Sequence, residues 1–447
     1  MLLVERAFAA RRVVSCTCTH LARRTRHTWS TEPITLNGQS YERDEWTNVT
    51  PTILSKVGRN LHLQPNHPLS TLRLRIEQHF KSFQHLNTLS PVVTVEQNFD
   101  DLGFPVDHPG RSLTDSYYIN KHTMLRTHTS AHEVQHFRQG LDSFLLTSDV
   151  YRRDEIDKSH YPVFHQVEGC NVTTRQGLDQ FVKENERMQH QLDNSNIVIT
   201  DPTIETTLTN PIQPQHTTEE AQIISQHLKN SLNSMVLHLF GDSVSNEGQP
   251  LQVRWIEATF PWTAPSYEVE VLFNGQWLEI LGCGVVKQAA LERSNQPNKL
   301  GWAFGLGLER IAMVMFGIPD IRLFWSQDSR FISQFKQDKV TQFKPYSKYP
   351  ECYKDFSFWT SSSSSSQGQQ TRFHENEFCE VVRDVAGDLI EDVQKIDEFV
   401  HPTTARTSVC YRLNYRSMDR SLSNEEINEL HTQVVNQVVE RIGVEAR

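Results

Sequence analysis

Glu268-Val-Glu-Val-Leu-Phe-Asn-Gly-Gln-Trp-Leu-Glu-Ile-Leu281 decides the fold. Val269, Val271 and Phe273 alternate with Glu268, Glu270 and Leu272, the period-two pattern of a half-buried strand. Asn274-Gly275 supplies the two positive-φ residues of a type I′ turn, and residues 277–281 return beside the first strand. An antiparallel hairpin of this kind argues against a doubly wound parallel sheet and for an α+β architecture.

Helical signals lie on both sides of the hairpin. Thr217 and Glu220 form the two ends of a capping box. Ala221, Ile224, Leu228, Leu232, Met235 and Leu239 follow at helical spacing, and Gly241 is expected to end the helix. Apolar residues at 69, 72, 76, 80 and 83 predict a helix over 69–83, residues 92–95 read as a strand, and 203–218 as a surface loop. Downstream, Gly305-Leu-Gly-Leu-Glu-Arg310 leads into an apolar helix over 311–316, stopped by Gly317 and Pro319. The two glycines permit close packing or a tight turn before that helix. No GxGxxG string or P-loop accompanies them.

Residues 331–347 read as a linking stretch, with the linker itself at 336–346. Beyond it the order is strand 353–359, helix 375–390, strand 396–400, strand 409–415 and helix 425–442, the last with a capping box from Ser423 to Glu426. This order fits a small ferredoxin-like unit. The serine run 361–366 with the glutamine-rich 367–370 is low complexity and is expected to be a disordered loop.

Composition narrows the functional classes. The 447 residues carry 44 Lys and Arg against 54 Asp and Glu, a net charge of -10, so any nucleic-acid contact must be local. No run approaches the ~20 apolar residues of a membrane span. Seven cysteines, odd in number and without a CxxC pair, fit neither a disulfide framework nor an all-cysteine zinc site. The first thirty residues hold Arg6, Arg11, Arg12, Arg23, Arg24 and Arg26 against a single acid, Glu5, the pattern of a mitochondrial transit peptide. His132-Glu-Val-Gln-His136 matches the HExxH of zinc peptidases, but Gln139 and Asp142 stand where an HxxGxxH extension needs glycine and histidine. A zinc metallopeptidase is therefore the rival enzyme reading.

Other strings follow one another in a telling order: Asn98-Phe-Asp-Asp-Leu102, His108-Pro-Gly-Arg111, Asp115-Ser-Tyr-Tyr118 and Leu125-Arg-Thr-His-Thr-Ser-Ala-His132. Then come Tyr151-Arg-Arg-Asp154, His160-Tyr-Pro-Val-Phe-His-Gln-Val-Glu-Gly169, Phe260-Pro-Trp-Thr-Ala-Pro-Ser-Tyr-Glu268, Gly282-Cys-Gly284 and Gly301-Trp-Ala-Phe-Gly-Leu-Gly-Leu-Glu-Arg310. The succession resembles the catalytic core of phenylalanyl-tRNA synthetases, over about residues 90–335. The tail from Tyr346-Ser-Lys-Tyr-Pro350 onward is similar to the anticodon-binding domain fused to that core in single-chain mitochondrial members. The resemblance implies a class II synthetase domain over 31–335, an antiparallel sheet flanked by helices, and a ferredoxin-like anticodon-binding domain over 347–447. It implies a monomer in the mitochondrial matrix that uses ATP and Mg2+ to join phenylalanine to tRNA(Phe). The acyl group would pass through an adenylate to the 2′-OH of the terminal adenosine.

It also implies roles. Arg152 would hold the α-phosphate and the substrate carboxylate, and Arg310 would stack on the adenine while facing the γ-phosphate. Phe164 would cover the other adenine face, with His165 beside it in the ATP site and His160 at a phosphate. Glu279 would hold magnesium or the ATP ribose region. His128, Ser130, Gln166 and Glu168 would surround the ammonium of phenylalanine, and Thr129, Ala131 and His132 belong to the same pocket string. Phe260, Trp262 and Phe304 would meet its ring, edge-on contacts being favourable. Members usually carry Phe-Pro-Phe-Thr where this chain has Trp262, and often Gln where it has Glu133. Arg412, Arg416 and Arg420 are expected to touch tRNA, although the tail from residue 345 holds 11 Lys and Arg against 17 Asp and Glu. A third reading, an inactive RNA-binding paralogue, is opposed by the presence of Arg152, Gln166, Glu168, Phe260, Glu279 and Arg310 together.

Overall fold

The computed structural model describes residues 32–204, 207–245, 249–273, 275–346, 349–360 and 373–447. The basic leader over 1–30, Asn274 of the hairpin turn and the Ser/Gln run over 361–370 lie outside the described residues.

Eight strands build the main sheet: β1 (Gln84–Leu86), β2 (Ser143–Tyr151), β3 (Val163–Thr174), β4 (Ile197–Thr200), β5 (Leu251–Ala258), β6 (Thr263–Phe273), β7 (Gln276–Val286) and β8 (Lys299–Gly307). Their order is β1-β2-β3-β8-β7-β6-β5-β4. Neighbours are antiparallel from β2 through β5, and parallel at the two edges, β1 with β2 and β4 with β5. The hairpin that decides the fold is β6–β7, and it extends further than its alternation alone indicates. Gly275 takes φ +77° in its turn. A bulge lies between Val269, opposite Leu281, and Glu270, opposite Glu279.

The helices around it are α1 (Pro68–His79), α2 (Glu133–Arg138), α3 (Leu178–Asp193), α4 (Thr218–Ser245) and α5 (Leu308–Phe316). The long α4 covers one face of the sheet. Its Leu228, Leu232 and Met235 join Val269, Val271 and Trp302 in the main core. Trp302 and Trp255 are fully buried there, and each indole N–H finds a partner on α4: His227 Nδ1 at 2.8 Å and Asn233 Oδ1 at 3.1 Å. The Thr217–Glu220 capping box forms as its sequence predicts. Gly241 does not end α4, which runs on to Ser245. A glycine breaks a helix only weakly unless it takes the left-handed conformation, and Gly241 is not among the positive-φ glycines. Gly317 does take it, at φ +67°, and ends α5.

The second unit comprises β9 (Cys352–Trp359), α6 (Glu375–Ala386), β10 (Ile390–Val400), β11 (Thr407–Tyr415), α7 (Asn424–Ile442) and β12 (Glu445–Ala446). The strand order β10-β11-β9-β12, all antiparallel, is the ferredoxin-like arrangement. Helix α6 stops four residues short of the expected end because Gly387 takes φ +57°, and the chain then enters β10. The Ser423–Glu426 capping box is present.

The linking stretch is packed rather than free. Phe335 is buried, and Val340, Phe343 and Tyr346 lie against the main core. The two units also meet directly. Glu380 on α6 accepts from Tyr117 Oη at 2.7 Å and from Arg383 at 2.7 Å. The same Arg383 donates to the carbonyls of Asp154 and Glu155 at 2.7 and 3.2 Å. Val393 N donates to the Ile156 carbonyl at 3.0 Å, and the Ile156 side chain is buried in the core of the second unit. Tyr161 Oη donates to Asp388 at 2.5 Å, and Lys158 pairs with Glu391 at 3.2 Å. The loop between β2 and β3 is thus held from both sides.

Candidate active site

The sheet face opposite α4 carries a cavity of about 430 Å3. Strand alternation selects what enters it. On β3, Phe164, Gln166 and Glu168 line the cavity, while His165, Val167 and Gly169 point to the other face. On β7, Gly282 lines it, and a Cβ there would come within 2.7 Å of the Phe260 ring, so the missing side chain makes room for Phe260. Gly305 and Gly307 lie in β8 rather than in a turn, and no described residue lies within 4 Å of where their Cβ atoms would be. They keep this part of the floor flat.

The cationic end holds two arginines. Arg152, just past β2, donates from Nε to the Thr127 carbonyl at 2.7 Å and sits 5.4 Å from the Phe164 ring. Crowding by protein lowers its pKa, opposed by nearby Asp154, and the guanidinium still keeps its charge at neutral pH. Arg310 is exposed on the first turn of α5 and makes no ion pair among the described residues. Its neighbour Glu309 is buried and accepts from the backbone N and ring Nδ1 of His165 at 2.8 and 2.7 Å, which pins the start of α5 to β3. His160 at the mouth bonds Asp157 at 2.7 Å; burial opposes protonation, but the Asp157 contact prevails and raises its pKa.

The other end is aromatic and acidic. Glu168 is 2% exposed and accepts from Ser130 Oγ at 2.5 Å and Thr129 Oγ1 at 2.9 Å. Gln166 Oε1 accepts from the Thr129 N–H at 3.3 Å. Trp262 stacks on Phe260 at 5.7 Å, on Phe104 at 5.4 Å and on His128 at 5.6 Å. Burial and the nearby Arg152 push His128 down to about 3, so its imidazole is neutral. Along the side wall, Glu268 and Glu279 both line the cavity, and burial together with Glu279 and Glu270 raises the Glu268 carboxyl above its usual range.

Of the residues expected from sequence, the cavity brings together His128, Thr129, Ser130, Arg152, His160, Phe164, Gln166, Glu168, Phe260, Trp262, Glu279 and Arg310. It does not bring in Ala131, His132 or His165. Ala131 packs in a small core with Phe99 and Tyr118. His165 lies on the opposite face and serves Glu309. Phe304 borders the cavity but sends its ring away from it, stacked 5.5 Å from Phe80 and lying across Gly169. Glu268, Asp154, Tyr161 and Thr263 are lining residues that the motif reading left without a role. The alternation of β6, with Glu268 and Glu279 on neighbouring strands, is the signal that reaches Glu268.

The HExxH string forms no zinc geometry. His132 ends a short 3-10 turn, and its Nε2 accepts from Arg126 at 2.9 Å, so the lone pair a metal would need is engaged. The His132 and His136 rings are 6.4 Å apart, and His136 turns to Gln139. Among the described residues, the groups whose ligand atoms converge are Glu133, Glu168 and Cys170, and Glu155, Asp157 and His160; neither contains the histidine pair.

Comparison with known proteins agrees with this geometry. Residues 53–207 and 213–335 match the family of tRNA synthetases class II core domain (F), and residues 347–447 the ferredoxin-fold anticodon binding domain. A fold and site of this kind define a class II aminoacyl-tRNA synthetase. The chain is 46% identical to the mitochondrial phenylalanine–tRNA ligase of Saccharomyces cerevisiae, over 93% of this chain and 95% of that protein. It is 45% identical to the Mus musculus enzyme, over 92% and 88%, and 43% identical to the chloroplastic/mitochondrial enzyme of Arabidopsis thaliana, over 91% and 84%. The chain belongs to the phenylalanine–tRNA ligase family.

Zinc is therefore not expected to matter. A zinc chelator should leave ATP–pyrophosphate exchange unchanged. His132→Ala should lower stability by about 1 kcal/mol, the loss of one Arg126 hydrogen bond, and leave the exchange rate within a few fold. A stoichiometric zinc whose removal stops exchange contradicts this.

Proposed function

We propose that the cavity binds phenylalanine and ATP side by side and joins them as phenylalanyl-adenylate. The observation that carries this is the placement, in one cavity, of a fixed carboxylate at one end and two cations at the other. Glu168 faces the substrate ammonium, with Gln166 and the Ser130 hydroxyl beside it. The benzyl ring lies against Phe260 and Trp262. The substrate carboxylate then lies toward Arg152, which also meets the ATP α-phosphate. The adenine ring takes the space between Phe164 and Arg310.

In the first step a carboxylate oxygen of phenylalanine attacks the α-phosphorus. The bond to the bridging oxygen breaks, and pyrophosphate leaves. Negative charge grows on the phosphoryl oxygens, and a preformed guanidinium fork stabilises it without reorganising. In the second step a ribose hydroxyl of the terminal adenosine of tRNA(Phe) attacks the acyl carbon, and AMP leaves. Bringing the two substrates together in one wall-bound geometry removes much of the entropic barrier.

Magnesium fits the Glu268 and Glu279 pair. Both offer hard oxygen donors, and burial, followed by the charges of Glu279 and Glu270, raises the Glu268 carboxyl, a cost that a cation relieves. When bound, the ion neutralises phosphate charge. The chain works as a monomer in the mitochondrial matrix, with the catalytic unit over 31–335 and the tRNA-binding unit over 347–447. Arg412, Arg416 and Arg420 are weak candidates for phosphate anchors, because each already faces a carboxylate: Asp355, Glu351 with Glu391, and Glu426.

Trp262 tests the ring site. An apolar aromatic pocket rejects an added hydroxyl by only about 10²-fold, so depth matters. Trp262→Phe removes bulk beside Phe260 and deepens the pocket. The ratio of kcat/KM for phenylalanine over tyrosine in adenylate formation should fall, while phenylalanine remains a substrate. An unchanged or larger ratio makes Trp262 a packing residue only.

A further inference from the structure

Glu133 has no role in the mechanism above. It is fully buried at the start of α2, and neither of its carboxyl oxygens has a hydrogen-bond donor among the described residues. Its ligand atom lies within 4.8 Å of those of Glu168 and Cys170 on β3. An isolated buried carboxylate without a donor is costly. Two buried carboxyl groups within reach of each other are stable when they share one proton.

The surroundings decide which of the two holds it. Burial raises the Glu168 carboxyl to about 7, but it accepts from Ser130 and Thr129, bonds that oppose that rise and favour its ionised form. The Cys170 thiol, 3.9 Å from Glu168 Oε1, is a further weak donor to it. Glu133 has no such donors. Burial, and next the charge of Glu168, push its carboxyl well above the usual carboxylate range. On its own segment, His132 and His136 are both held below their usual pKa by burial and are turned to Arg126 and Gln139. From β2, Asp149 is engaged by Arg126. Burial holds the Cys170 thiol protonated.

We propose that Glu133 is a positioning residue for amino-acid recognition: as a neutral acid it donates a hydrogen bond to Glu168 and holds that carboxylate beneath the substrate ammonium. The pair then carries one negative charge, matched to one ammonium. This rests on the reading of Glu168 as the ammonium partner.

The test uses the full-length protein and four forms: wild type, Glu133→Gln, Glu133→Leu and Glu168→Gln. Glutamine reproduces the shape and the donor of a protonated glutamate but cannot ionise. In ATP–pyrophosphate exchange, Glu133→Gln should keep the KM for phenylalanine within about twofold. Glu133→Leu should raise it about tenfold, the loss of one hydrogen bond to a charged group, with the KM for ATP unchanged. The infrared difference spectrum of wild type minus Glu133→Gln at pH 7 should show the carbonyl stretch of a protonated carboxyl, a signature that a structural role does not predict. A carboxylate band instead, an unchanged phenylalanine KM in Glu133→Leu, or a stoichiometric metal ion lost on Glu133→Gln each overturns the proposal. The Glu168 reading is judged separately. If Glu168→Gln leaves the phenylalanine KM unchanged, that reading fails and this proposal with it. If Glu168→Gln raises it and Glu133→Leu does not, only the role of Glu133 fails.

Discussion

Arg152→Ala is expected to lower kcat/KM for ATP–pyrophosphate exchange by about 10³, while the protein stays folded. The size follows from what Arg152 does. It lines the same cavity as Glu168 and sits 5.4 Å from the Phe164 ring, the wall proposed for adenine. One of its N–H groups is fixed on Thr127, which orients the guanidinium before substrate arrives. Charge that develops at the α-phosphate therefore meets a donor already in place. The side chain contributes little to folding, because among the described residues its hydrogen bond is to one backbone carbonyl at the cavity edge. Arg152→Lys keeps a charge but loses the planar two-pronged donor, and should recover only part of the rate. Stopped exchange with an unchanged unfolding midpoint is the expected pair of results. A loss of less than tenfold in kcat/KM would show that Arg152 is not at the reacting phosphate.

Breaking the joint between the two units should be nearly as damaging, though it lies outside the cavity. Arg383→Ala removes a buried cation that bonds Glu380 and the carbonyls of Asp154 and Glu155. Glu380 would then remain buried, with the hydroxyls of Tyr117 and Thr50 as its donors from the first unit among the described residues. Removing one partner of a buried pair costs about 3–5 kcal/mol. The same change frees the loop that follows Arg152 and carries Asp154, His160 and Tyr161 into the cavity. The KM for ATP should therefore rise together with the loss of stability. Ending the chain near residue 345 should be worse. It uncovers Ile156 and strips partners from Tyr117, Tyr161 and Arg322. The sequence alone suggests that such a truncated enzyme would still form adenylate; the packed joint predicts that it would be unstable and slow in both steps. Chemical denaturation and exchange kinetics on Arg383→Ala and on the truncated chain check this. A truncated protein with full exchange activity contradicts it.

Much of this was legible in the residues. The alternation around Asn274-Gly275 gives the central hairpin, because one sheet face is buried under α4 and the other is half open. Both capping boxes form, since each is a local contact between residues three apart. The edge strands β1 and β4 were not legible: at three and four residues they carry too little pattern to stand out. His165 was assigned to the cavity by the string it sits in, yet the period of two along β3 turns it to the far face, while Phe304 borders the cavity with its ring packed on Phe80. Ile156 was not legible either. It lies in a polar run, and its burial depends on residues from 352 onward that reach it only in the folded chain.

The most direct test of the central claim is ATP–pyrophosphate exchange by the full-length protein, measured with each of the twenty amino acids in turn. Phenylalanine should support exchange at a kcat/KM about 10²-fold or more above tyrosine, with the other eighteen near background. Exchange driven best by another amino acid, or no amino-acid-dependent exchange at all, would contradict the account.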